Sequence, residues 1–137
     1  IVVTGGTGFV GREVCRQLAA QGTPVRAVAR QAPVRPLPDG VSFFPADVTR
    51  AISLREAMEG AQAVIHCVGI IGEKGDATFD RFHRHATAET VAAAHRANVP
   101  RFLLVSALGA RSTSGARSQQ SKAAAEEIVR QSGLAFT

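Results

Sequence analysis

An α/β fold, with a doubly wound parallel sheet in three α/β/α layers, is what this sequence predicts. Two observations carry that reading. The chain opens on Ile1-Val2-Val3, turns through Gly5, Gly8 and Gly11 at steps of three, and passes directly into an amphipathic helix. Beyond it, strand-like apolar runs alternate with helical patterns down the chain. Alternation of this kind implies parallel strands joined by right-handed crossovers, with helices on both faces.

Each element has its own signal. In the opening turn, Gly5 allows a tight turn off the strand. Gly8 lets a pyrophosphate approach the backbone, and Gly11 packs the helix on the sheet. Val10, Val14 and Leu18 recur at helical spacing, widened by Cys15 and Ala19, and Gln21-Gly22 with Pro24 stops the helix. Val25 to Ala29 is a second strand ending at Arg30. Residues 31–40 hold three prolines and a closing Asp-Gly, so a loop is expected in place of a crossover helix. Val41 to Ala46 is a third strand, whose Pro45 predicts an edge position or the strand's end. Thr49 or Ser53 is expected to cap a short helix carrying Leu54, Ala57 and Met58. Ala63 to Val68 is apolar nearly throughout, which fits a strand covered on both faces. Phe79, Phe82, Ala86, Thr90, Ala93 and Ala97 mark a long helix, stopped at Asn98 and Pro100. Arg101 to Val105 is a fifth strand. The last helix runs from about Ser118 to Gln131, with Ala124, Ala125, Ile128 and Val129 as its inner face, and Leu134 to Thr137 reads as a strand beginning.

Composition narrows the function classes. With 45% hydrophobic residues the chain can bury a core, and residues 1–137 are expected to form one domain. The chain starts on a strand without methionine, so it is expected to be part of a longer protein, ending before a substrate-binding part. The net charge of +5 comes from scattered arginines with no basic block and no aromatic platform, which argues against nucleic acid. No apolar run approaches the length of a membrane span. Cys15 and Cys67 show no metal or redox spacing and fit a reducing compartment, so a cytoplasmic location is expected. His83 and His85 stand two apart on a helix and share no face, and His66 and His95 find no ligand partners, so no metal is expected.

Several stretches together resemble one family. Thr4-Gly5-Gly6-Thr7-Gly8-Phe9-Val10-Gly11, Asp47-Val48-Thr49, His66-Cys67-Val68-Gly69, Val105-Ser106-Ala107 and Ser121-Lys122-Ala123-Ala124-Ala125-Glu126 follow one another as in the extended and atypical short-chain dehydrogenase/reductases. The resemblance covers the whole chain. It is nearest to the NAD-dependent epimerase/dehydratase-like group, which includes relatives of the accessory NADPH-binding subunit of respiratory complex I. It implies a Rossmann fold with a dinucleotide along the carboxyl edge of the sheet. Thr7 to Val10 would line the pyrophosphate with backbone groups, within a cofactor-binding stretch of Gly5, Thr7, Gly8, Phe9, Val10 and Gly11. Asp47 and Val48 would hold the adenine, and Cys67, Val68 and Gly69 the nicotinamide-side ribose. Lys122 would bind the ribose hydroxyls and, with Ser106, make up the catalytic candidates. Ser106 reads equally as a strand-end hydroxyl capping a turn. In active members a tyrosine four residues before the lysine moves the proton. Here Ser118 stands there, the chain has no tyrosine, and His83 occupies the position of the family's helix asparagine. A serine hydroxyl is a far weaker acid than a phenol of pKa about 10, so that relay is absent.

The residue ending the second strand meets the adenosine ribose in such folds. A carboxylate there accepts from a 2′-hydroxyl, whereas an arginine suits a 2′-phosphate. This chain has Arg30 there and Arg35 beyond, with no acidic residue between Gln21 and Pro38, which favours NADP(H) over NAD(H). The leading reading is an NADP(H)-binding oxidoreductase-like protein that passes hydride to an unidentified small molecule or quinone. A non-catalytic structural or redox-sensing module that binds NADPH is the alternative, and a nucleotide-sugar epimerase or dehydratase stands third. The loop from Ile70 to Asp76 reads either as a cover for the site or as a plain mobile connection. Homo-oligomeric and membrane-complex partners stay open.

Overall fold

The computed structural model describes residues 1–137. β1 (Val2–Thr4) is buried along its whole length and ends in the glycine turn. α1 (Phe9–Ala20) follows and stops at Gly22, whose φ of +75° turns the chain into β2 (Val25–Ala29). No helix lies between β2 and β3 (Val41–Pro45), because the prolines of residues 31–40 hold that connection in a loop. A 3-10 turn (Ala51–Leu54) runs into a short α2 (Arg55–Met58), and β4 (Val64–His66) comes next. A π-turn (Asp80–His85) leads into α3 (Ala86–Arg96), then β5 (Arg101–Leu104), α4 (Arg117–Arg130) and β6 (Ala135–Phe136).

The six strands are all parallel, in the order β3-β2-β1-β4-β5-β6. The order reverses between β1 and β4, and a crevice opens beyond the carboxyl ends of strands at such a switch point. Pro45 ends the edge strand, where a missing N–H is tolerated. The larger core lies between the sheet and α2, α3 and α4. There Val2, Val28, Val64 and Phe102 meet Leu54, Met58, Val91 and Val129. Phe102 is fully buried, and removing such a ring from a core costs about 3–5 kcal/mol. A smaller cluster of Val3, Cys15, Val25 and Ala27 sits under α1 on the opposite face.

Two expectations need correction. The inner stripe of α1 does not begin at Val10, which is 44% exposed; Gly11 and Cys15 are the buried positions. Gly11 is pressed against the turn backbone, and that contact rotates Val10 outward. Nor does Thr49 or Ser53 cap the short helix. The Thr49 hydroxyl donates to Asp47 Oδ1 at 2.8 Å, and the Ser53 hydroxyl binds the Asp47 backbone, with Asp47 N donating to it at 3.0 Å. The helix start is held from outside instead, as Ala51 N donates to Glu89 Oε2 at 2.6 Å. A long-range acceptor thus outcompetes the local ones.

Candidate functional site

The glycine turn is fixed by backbone contacts. Gly5 takes φ +72°, a left-handed conformation that favours glycine, and its amide and that of Gly6 both donate to Val28 O, at 2.9 and 3.3 Å. A Cβ on Gly11 would stand 2.2 Å from Gly5 O, so helix and turn can meet only through glycine. Gly6, not singled out from the sequence, is equally constrained, since a Cβ there would reach Ala27 Cβ at 2.8 Å. Gly8 differs. It is exposed, and an added Cβ would meet only Gly5 O, at 3.2 Å, so packing alone does not demand glycine there. Gly8 caps α1 with no side-chain hydrogen bond, and the helix has no acidic residue in its first turn. The amides of Phe9, Val10 and Gly11 and the positive end of the dipole are therefore free to meet an anion. Thr7 lies half-buried beside them, while the Phe9 ring is 97% exposed.

A cleft of about 780 Å³ runs from this helix end along the end of β2. Arg12, Arg30 and Arg35 line it, and no carboxylate does. The sequence reading missed Arg12. Its signal was a basic residue directly after the last motif glycine. The Arg12 guanidinium donates to Arg35 O at 3.3 Å and to Pro36 O, tying the proline loop beside the turn. Arg30 is exposed and lies 5.2 Å over the Phe82 ring. Asp47 stands at the end of β3, where its carboxylate accepts from Thr49 N at 3.0 Å. Burial pushes the Asp47 carboxyl up, but the Thr49 hydrogen bonds and the Arg30 and Arg81 charges outweigh it, leaving it below the usual range. Val48 is buried, and its amide donates to no protein acceptor.

At the ends of β4 and β5 a second cleft, of about 390 Å³, is lined by Gly69, Ile70, His83, Ser118 and Lys122. Lys122 Nζ donates to Val105 O at 2.9 Å and Val68 O at 3.4 Å, which leaves one of its three protons for a ligand. Burial lowers the Lys122 pKa against the opposing pull of Cys67 and Glu126. Cys67 is half-buried, and burial pushes its thiol up to about 11, so it is no thiolate nucleophile. Ser106 lies apart from this cleft. Its hydroxyl donates to Glu126 Oε1 at 2.5 Å and lines a smaller cavity of about 190 Å³ between β5 and α4. Beneath the cleft, His66 is fully buried with Nδ1 2.7 Å from Thr4 Oγ1, and Nε2 has no partner. Burial, reinforced by Lys122 and His83, holds its pKa down to about 3, so the ring is neutral.

A family profile described as NAD(P)H-binding matches residues 5–137. The chain belongs to the NAD(P)H-binding family. Among relatives, ceramide reductase of Caulobacter vibrioides is 36% identical over 132 residues, covering 95% of this chain and 41% of that protein. Subunit 9 of the NADH dehydrogenase [ubiquinone] 1 alpha subcomplex of Arabidopsis thaliana mitochondria is 31% identical over 140 residues, covering 93% and 34%. A short-chain dehydrogenase/reductase superfamily protein from Agrobacterium tumefaciens with bound NAD superposes with a TM-score of 0.75 at 25% identity, covering 98% of this chain and 46% of that one. The chain thus spans less than half the length of these proteins. The chain is an NAD(P)-binding, oxidoreductase-like Rossmann domain, and no helix in it is long and apolar enough to cross a membrane. The residues at the start of α1 fit a dinucleotide: uncapped amides there could take a pyrophosphate, and the open backbone at Gly8 would leave room for it.

Proposed function

We propose that residues 1–137 bind NADP(H) in preference to NAD(H) and serve hydride transfer at the carboxyl edge of the sheet. The convergence of Arg12, Arg30 and Arg35 on one cleft without a carboxylate carries this reading. A 2′-phosphate gains charge-assisted hydrogen bonds from such a set, whereas a free 2′-hydroxyl finds no carboxylate to accept from it. Gly5, Thr7, Gly8, Phe9, Val10 and Gly11 would cradle the pyrophosphate, and Asp47 with the Val48 amide would hold the adenine. Cys67, Val68 and Gly69 would flank the second ribose, with Lys122 on its hydroxyls. The bound dinucleotide supplies the hydride, and the protein supplies position. The ceramide reductase relative supports a carbonyl on an apolar molecule as acceptor. Ile71 and Leu108, fully exposed on the loops after β4 and β5, offer apolar surface near the second cleft.

Titration with NADPH and NADH on the wild type, Arg12→Ala and Arg30→Ala tests the preference. We expect NADPH to bind at least about tenfold tighter, or about 1.4 kcal/mol, and each variant to lose most of that margin. Equal affinities in the wild type would overturn it. The second reading, an NADPH-binding module without turnover, is favoured by the chain's lack of tyrosine, with Ser118 four residues before Lys122. Retained, non-exchanging NADPH with no oxidation across carbonyls and quinones would establish that reading.

A further inference from the structure

We propose that His83 is the positioning residue of the second cleft, a hydrogen-bonded staple that fixes the Gly69-Ile70 backbone to the helix carrying Lys122. Its functional consequence rests on the dinucleotide reading above, but the staple stands on geometry of its own.

His83 is 2% exposed and contacts both elements. On one side Ile70 N lies 3.1 Å from His83 Nε2. A backbone amide can only donate, and with that amide as the partner Nε2 is the acceptor and the ring proton is assigned to Nδ1. There Ser121 Oγ lies at 2.8 Å, and the Ser121 hydroxyl donates onward to Ser118 O at 2.8 Å. The bonds therefore run in one direction, from the Ile70 amide through the imidazole and Ser121 to the first turn of α4. The Ile70 carbonyl, 3.2 Å from Nε2, is a neighbour without a donor in this arrangement.

The ring is suited to that task by its neutrality. Burial and the Lys122 charge lower the His83 pKa, outweighing the Ile70 and Ser118 carbonyls and Glu73. A protonated ring would give up the Ile70 amide as donor, turn Nε2 toward the Ile70 carbonyl instead, and set a second cation against Lys122. The local backbone serves the same end. The π-turn at Asp80–His85 lets Phe82 and His83 both face inward, and Thr87 Oγ1 donates to His83 O at 2.6 Å to hold the turn. The Phe79 ring lies 5.3 Å from the imidazole.

The staple also reaches the lysine. A Cβ on Gly69 would stand 3.2 Å from Lys122 Nζ and 3.5 Å from His83 Nε2, so the three groups meet at one point. Val68 O, which accepts from Lys122 at 3.4 Å, belongs to the segment that His83 holds. With Val68 to Ile70 fixed, the one free ammonium proton keeps its direction. His83 itself has no free nitrogen for a substrate and acts through Lys122 and the loop.

Nitrogen-15 spectroscopy of the full chain at neutral pH tests the staple without any substitution. The Nδ1-protonated tautomer of His83 is expected, and an Nε2-protonated ring overturns the proposal. Amide exchange and binding then extend the test. In His83→Ala the Ile70 amide should exchange at least about tenfold faster, with the Gly5 amide unchanged. NADPH should bind about fivefold more weakly, while 2′,5′-ADP (which lacks the nicotinamide half) binds as before. His83→Gln, which keeps an acceptor for Ile70, should recover most of both losses. Equal acceleration at Gly5 and Ile70, or weakened 2′,5′-ADP binding, marks a general structural role and overturns the proposal. Should wild-type NADPH binding fail, the dinucleotide reading falls, and tautomer and exchange rates still decide the staple.

Discussion

The glycine-turn cleft and the Lys122 cleft are built in opposite ways. The first is backbone and surface: a glycine turn tied to Val28 O, an uncapped helix end, and arginines on an open cleft of about 780 Å³. The second is a packed network in which Lys122, His83 and Ser121 reach across 13 to 54 positions of sequence for their partners. An anion with fixed geometry can be met by repeated amides and surface guanidinium groups. A reacting ring needs groups held still, and stillness here comes from tertiary contacts.

The comparison can be broken at its rigid point first. Gly11→Ala would drive a Cβ to 2.2 Å from Gly5 O, and we expect a loss of about 3 kcal/mol or more in denaturant unfolding. Gly8→Ala meets only a 3.2 Å contact, so its stability should change by less than about 1 kcal/mol while nucleotide affinity drops. If both variants unfold alike, the turn is rigid throughout and Gly8 is not a place reserved for ligand.

Acid should act through the network side. His66 has its pKa lowered from 6.5 to about 3, so in that window the unfolded chain binds the extra proton. Stability is then complete above about pH 6.5 and falls toward acid by about 1.4 kcal/mol per pH unit. His83 adds in the same direction, since its pKa is lowered too. Urea unfolding at pH 7 and pH 5.5, where carboxylates remain ionised, should differ by about 1 kcal/mol or more. No difference would mean that neither imidazole is held neutral by burial.

Lys122→Met sharpens the division of labour. NADPH affinity should fall about tenfold, or about 1.4 kcal/mol, with 2′,5′-ADP affinity unchanged. A parallel loss for both ligands would show that the two sides are coupled. The smallest effect is expected at the surface. Arg84→Ala breaks an exposed pair with Asp80 at 2.6 Å and should cost less than about 0.5 kcal/mol by thermal unfolding.

Much of the fold was legible because its signals are local. Strands β2 and β3 stand where short apolar runs and glycine or proline stops put them, and Pro45 marked the edge. Where a residue's partner lies far along the chain, local pattern misled: Ser53 binds Asp47 and leaves helix capping to Glu89. Arg12 looked like any helix arginine until the fold laid the proline loop against it.

By itself, the sequence determined the parallel α/β order, the glycine turn and the basic end of β2. Each of these depends on residue periodicity, on backbone freedom at glycine, or on charge at one position. The tertiary structure decided what the long-range partners are. His83 bridges Ile70 to Ser121, Ser106 faces Glu126, and His66 lies neutral beneath the cleft. A hydroxyl or an imidazole has several acceptors within chemical reach, and folding alone selects one by burying it beside a donor that spacing cannot name.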